Sequence, residues 1–151
     1  MKSIVKLALV PVVSAALMGS VFAQDQGTAE EAQAMLDEAV SHYEEAGREQ
    51  ALEDFNTGDQ WQDRDLYVYC IGPDQMVSAH GANEALVGTS AMNLIDPEGM
   101  NVGAAVVEIG QGEGSGTVDY VWENPQTGQV EPKTAFVQQV GEDICAVGFY
   151  Q

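Results

Sequence analysis

Residues 119–150 read DYVWENPQTGQVEPKTAFVQQVGEDICAVGFY, and this stretch decides the fold. From Thr117 to Glu123, Val118, Tyr120 and Trp122 alternate with Asp119, Val121 and Glu123, the period-two pattern of a β-strand. Asn124-Pro-Gln-Thr-Gly128 supplies turn-forming residues, because Asn, Pro and Gly each favour a bend by their own backbone chemistry. Lys133–Val140 predicts a second strand, Gly141-Glu-Asp143 a tight turn, and Ile144–Tyr150 a third strand. Connections this short join antiparallel neighbours, since a parallel crossover needs a dozen residues or more.

Working outward, the same period appears upstream. Leu66, Val68 and Cys70 alternate with Tyr67, Tyr69 and Ile71, Gly72-Pro73-Asp74 turns the chain, and Met76–His80 forms the second arm of a hairpin. Between the hairpin and the final strands, Asn83–Leu94 predicts a loop with a short helical turn. Asp96-Pro97 predicts an N-cap with proline at the first helical position, opening a helix to about Ile109, and the glycines of Gly110–Gly116 end it. Further upstream, Thr28-Ala-Glu-Glu31 is a capping box. Met35, Leu36, Ala39, Val40 and Tyr43 then recur at helical spacing. Leu52 and Phe55 resume the stripe after Gly47, which predicts one long helix or two with a break there. Helices preceding and interrupting an antiparallel sheet make an α+β domain.

The N-terminus has a different character. Lys2 and Lys6 flank an apolar run, Leu7 to Met18, followed by small residues and Val21-Phe22-Ala23. This is a secretory leader with cleavage expected after Ala23, and the run is short for a membrane span. Residues 24–151 then form a single domain. Removing the leader leaves Arg48, Arg64 and Lys133 against 24 acidic side chains, a net charge of −21. Such a surface repels nucleic acid and anionic membranes, whose recognition needs Lys and Arg. The first helix's acidic face is expected to be solvated, as are Arg48 and Arg64. Two cysteines, Cys70 and Cys145, in an exported chain favour one disulfide, the alternative being two buried thiols.

In this order and spacing, the stretches Tyr43–Asn56, Asp65–Gly88 and Asp119–Tyr150 resemble a single Cache domain, the extracytoplasmic ligand-sensing relative of the PAS fold. The most specific signals are Tyr120-Val-Trp122, Asn124-Pro125, Pro132-Lys133 and the terminal Gly148-Phe-Tyr150, followed by Ala79-His80-Gly81 with Leu86-Val-Gly88. The resemblance implies a PAS/profilin-like five-stranded antiparallel sheet of order 2-1-5-4-3. A long N-terminal helix lies behind the sheet, and a ligand pocket with short helices lies on its other face. It makes the strands bearing Cys70 and Cys145 neighbours. It also implies a sensor for small carboxylates or similar metabolites. The chain ends at Gln151, soon after the last strand, so the expectation is a free-standing periplasmic or secreted module that acts with a membrane-bound receptor or kinase. One departure is Glu142-Asp143, where the family often carries a tryptophan.

Lys133 is the one lysine after the leader and matches the basic position of that family's pocket, where it would hold a carboxylate. The structural alternative is a surface lysine paired with a glutamate. Tyr120, Trp122, Tyr69 and Tyr67 combine an apolar body with a polar tip and suit either a pocket wall or a core. His80 is either a ligand donor or a satisfied structural histidine. No Gly-x-Ser-x-Gly elbow is present, and His42 and His80 sit in different elements without a nucleophile, so no enzymatic activity, cofactor or metal is expected. Two other readings stand beside the ligand-binding one. The first is a soluble regulator of a membrane sensor with no ligand of its own. The second is a cryptic hydrolase or metal protein, with Asp59, Asp63 and Asp65 as weak calcium ligands.

Overall fold

The computed structural model describes residues 26–151; the leader and its cleavage point lie outside the described residues. Helix α1 (Ala29–Ala46) starts at the capping box, where Thr28 Oγ1 accepts from the Glu31 amide and the Glu31 carboxylate accepts from the Thr28 amide. Gly47, at φ +85°, ends it, and α2 (Arg48–Thr57) follows at once. The strands are β1 (Gln62–Asp63), β2 (Leu66–Ile71), β3 (Val77–His80), β4 (Ser115–Glu123), β5 (Val130–Val140) and β6 (Asp143–Tyr150). All pairings are antiparallel, and the sheet runs β3-β2-β6-β5-β4. This is the expected 2-1-5-4-3 order. The additional two-residue β1 extends the pairing of β2 at its start.

The sheet separates two cores. Leu66, Val68, Cys70 and Val147 face α1 and α2, meeting Leu36, Ala39, Leu52 and Phe55. Tyr67, Tyr69, Tyr120 and Ala146 face the other way, under the β3–α3 connection and helix α3 (Val102–Gln111). Among the described residues no helix is long and apolar enough to cross a membrane.

Helix α3 starts later than Asp96-Pro97 suggests. The Asp96 carboxylate accepts from the amides of Glu98 and Met100 through one oxygen and of Val121 through the other. It therefore closes a turn and fastens that turn to strand β4. Gly99 at φ +90° takes the chain out of helical geometry, and Asn101 is the true cap, accepting from the Ala104 amide at 2.9 Å. The glycine-rich stretch likewise divides between elements. Gly110 lies within α3, where a Cβ would come within 2.5 Å of Ile144, and β4 already begins at Ser115.

Arg48 is more engaged than a solvated residue. It donates to the fully buried Asp143 at 2.6 and 3.2 Å, and Asp143 also accepts from Tyr43 Oη (2.6 Å) and Ser78 Oγ (2.8 Å). One carboxylate thus joins α1, α2, β3 and β6. Arg64 is held by Glu31 and Asp63.

Cys70 and Cys145 are direct partners across β2 and β6 and form a disulfide buried on the helix-covered face. It closes a loop of 75 residues, worth about 4 kcal/mol in the chain-entropy model. Urea unfolding of the oxidised protein and of Cys70→Ala/Cys145→Ala should differ by about that amount; equal midpoints would remove the disulfide from the stability of this fold.

Candidate ligand-binding site

The site grows from one row of residues. Tyr120, Lys133 and Tyr150 are successive register partners across β4, β5 and β6, so their side chains stand on one face. Lys133 lies flat along the sheet because residue 148 is glycine: a Cβ there would sit 2.4 Å from Lys133 Cε. Lys133 itself is 1% exposed. Nζ donates to Tyr67 Oη at 2.8 Å and to Tyr150 Oη at 3.3 Å, and it lies over both rings at 4.0 and 4.5 Å from their centroids. Tyr150 passes its own proton to the Glu123 carbonyl at 2.8 Å. No carboxylate makes an ion pair with this lysine among the described residues. Burial therefore pulls its pKa down to about 7, with the nearby Asp65 charge opposing the shift.

Above Lys133 stands an aromatic wall. Tyr67 and Tyr69 project from β2, with His80 of β3 4.9 Å and 5.9 Å from their ring centroids. Tyr120 and Trp122 meet edge to face on β4. The His80 Nδ1 accepts from the Asn83 amide at 3.0 Å, which places the proton of the neutral ring on Nε2. Burial, reinforced by the Lys133 charge, lowers the His80 pKa to about 4, so the ring is neutral at ordinary pH. Burial also raises the tyrosines: Tyr69 to about 12, Tyr67 and Tyr120 well above the usual phenol value. All three phenols are therefore protonated, and each can donate a hydrogen bond.

Two spaces adjoin this wall. An outer cleft of about 290 Å³ is lined by Tyr67, His80, Ala82, Asn83, Leu86, Trp122, Glu123 and Pro125. An inner chamber of about 20 Å³ is bounded by Tyr67, Tyr69, His80, Leu94, Val102, Tyr120 and Trp122. Tyr67, His80 and Trp122 belong to both. A cleft of this size suits a small metabolite, while the chamber admits one water-sized group.

The family model for Single Cache domain 2 matches residues 15–148. The chain belongs to that family. Cache domains are extracytoplasmic sensory modules rather than catalysts. No curated protein sequence matches the chain. Among solved structures, a methyl-accepting chemotaxis protein from Vibrio parahaemolyticus RIMD 2210633 is similar at 18% identity and TM-score 0.68, over 80% of this chain and 86% of that one. A periplasmic sensor domain of a chemotaxis protein is similar at 24% identity and TM-score 0.62, over 80% and 88%. A Cache chemosensory domain solved for its recognition of carboxylic acids is similar at 23% identity and TM-score 0.61, over 80% and 86%. These likenesses establish a shared fold.

The Cache fold thus brings Tyr67, Tyr69, His80, Tyr120 and Trp122 together around one space. It places Lys133 directly behind Tyr67, where it lines neither the cleft nor the chamber. Leu94, Val102, Asn83, Gly148 and Tyr150 also build the site, and sequence reasoning had assigned none of them a part in it. The Gly148-Phe-Tyr150 signal was visible in the chain, but its physical meaning, room for a buried lysine and a second phenol for its ammonium, needs the register of β5 with β6. The other histidine, His42, bonds Asp54 at 2.7 Å on the helical side of the sheet. The calcium reading fails on geometry. Asp65 is buried, accepting from the Gly27 amide and Asn124, and Asp63 is bound to Arg64. Among the described residues no three His, Cys, Asp or Glu side chains converge.

The His80 environment has a measurable consequence. Below the ordinary histidine pKa of about 6.5 the unfolded chain binds a proton that the folded ring refuses until about pH 4. Stability contributed by the neutral ring is therefore present above pH 6.5 and is lost as pH falls toward 4, by about 3 kcal/mol in full. Urea titrations at pH 7 and 4.5 should show a smaller acid loss in His80→Gln than in the wild type; parallel losses would contradict a buried neutral His80.

Proposed function

We propose that this protein is a periplasmic or secreted sensor module that binds a small carboxylic acid in the cleft at Tyr67, His80 and Trp122 and leaves it chemically unchanged. The observation that carries the reading is the Lys133 ammonium, buried without a counter-carboxylate in contact and separated from the cleft by a single phenol. Transfer of an ammonium from water into such a site is costly unless a negative charge joins it, and an anion at Tyr67 would supply that charge across a short, low-dielectric gap. The Tyr67 oxygen accepts from Lys133, so its polarised hydroxyl and the His80 Nε2 proton offer hydrogen bonds that need no further charge. Trp122 walls the ligand in the cleft, and Tyr69 and Tyr120 line the inner chamber beside it. The acid recognised by a similar Cache domain supports the ligand class. The leader pattern at residues 1–23 supports export, and the buried disulfide suits an oxidising compartment. A membrane-bound receptor or kinase is the natural reader of the liganded state.

An anion bound beside Lys133 holds its proton. In the free protein that proton is lost above about pH 7, so affinity should be constant below pH 7 and fall about tenfold per unit above it. Calorimetric titration with short organic acids across pH 6 to 9 checks this, and affinity unchanged over that range would sink the lysine's role. Lys133→Met should fold, because buried ions are often replaceable by apolar groups of similar shape. It should weaken acid binding by on the order of 2–5 kcal/mol, and equal affinity in the variant would refute the assignment.

A further inference from the structure

We infer that the inner chamber is a subsite for a second oxygen of the ligand, placed there by Tyr69 and Tyr120, so that this protein prefers a short hydroxy or oxo acid to the plain carboxylic acid of the same length. The inference rests on the acid-binding reading above and adds the ligand's second functional group.

The argument starts from unspent hydrogen bonds. Tyr69 and Tyr120 are 4% and 8% exposed, and their oxygens lie 3.5 Å apart. Two phenols carry two protons, and their mutual contact uses one. Neither oxygen has another partner among the described residues, so one O–H proton and several lone pairs remain uncommitted in the interior. Buried polar groups left without partners are costly and call for an explanation. The space beside them supplies one. It holds about 20 Å³, enough for an oxygen-sized group. The rest of its lining separates from the phenols by chemistry: Leu94 and Val102 are apolar, and the His80 Nδ1 is occupied by the Asn83 amide.

Charge decides which oxygen. The chamber is lined by no cationic side chain, and Lys133 serves the cleft through Tyr67. A second carboxylate would be buried there without a counter-charge, which is far more costly than burying a hydroxyl. A hydroxyl both accepts from and donates to the phenol pair, and a carbonyl accepts the free proton. An alkyl hydrogen offers the pair nothing.

The test is calorimetric titration of the purified protein with propanoate, 2-hydroxypropanoate and 2-oxopropanoate at pH 6.5. The hydroxy and oxo acids should bind about tenfold more tightly than propanoate, the size of one well-made neutral hydrogen bond. Tyr69→Phe should bring that ratio close to one. Tyr120→Phe is the second variant should Tyr69→Phe fail to fold by circular dichroism. Equal binding of all three acids by the wild type overturns the subsite and leaves acid binding intact. A Tyr69→Phe variant that loses affinity for all three alike also overturns it, since the phenols would then be holding the carboxylate itself. Failure of all three acids, together with a panel of C2 to C6 acids, to bind the wild type overturns the acid-binding reading and the subsite with it.

Discussion

An ammonium in the interior of a sheet is the constraint around which this domain is arranged. Lys133 has three protons to place and only phenols to receive them. That requirement accounts for two tyrosines within reach of Nζ, for the absence of a side chain at Gly148, and for Tyr150 handing its proton to a backbone carbonyl so that its oxygen is free to accept. It also reaches His80, whose protonation is opposed by the same charge. One cation thus keeps its surroundings neutral and rich in donors. In a molecule with so many carboxylates, Arg48 and Arg64 are both paired with them, while the Lys133 ammonium is in contact with none among the described residues.

The scaffold holds this arrangement from both sides. Asp65, fully buried two residues before Tyr67, accepts from the Gly27 amide at 2.7 Å and from the Asn124 side chain at 3.2 Å. The entry to α1 and the turn after β4 are therefore tied to the same carboxylate that favours the Lys133 charge. At the other end of the sheet, Asp143 gathers Tyr43, Arg48 and Ser78. The two fully buried aspartates, each satisfied by several donors, fix the helices to the sheet at its two ends, and the Lys133 row lies between them.

The sheet and its two faces were legible in the chain because alternation is a local property. Tyr67 and Tyr69 against Leu66 and Val68 separate the pocket face from the helix face without knowledge of any partner strand. The Thr28 cap and the break at Gly47 are local for the same reason. What escaped sequence reasoning depends on distant partners. Asp96 carries every mark of a helix cap, yet the amide of Val121, 25 residues away, claims one of its oxygens. Arg48 reads as solvated until β6 brings Asp143 beneath it. Tyr67, Tyr69, Tyr120 and Trp122 could be singled out in the chain by their chemistry and strand parity, but the position of Lys133 behind Tyr67 could not, because it is set by the register of β5 with β6 and by a missing Cβ at Gly148.

The disulfide between Cys70 and Cys145 has a mechanical meaning beyond its contribution to stability. It staples β2 to β6 at directly opposed positions, so those two strands cannot slide past one another without breaking a covalent bond. The strands carrying Tyr67, Tyr69 and Tyr150 are thereby joined covalently as well as by their backbone ladder. Elsewhere on the chamber's rim the joining is by hydrogen bonds alone: the segment that bears Leu94 is fastened to β4 through Asp96. The cleft runs from that joined pair of strands, at Tyr67, to Asn83 and Leu86 of the β3–α3 connection and to Trp122 of β4.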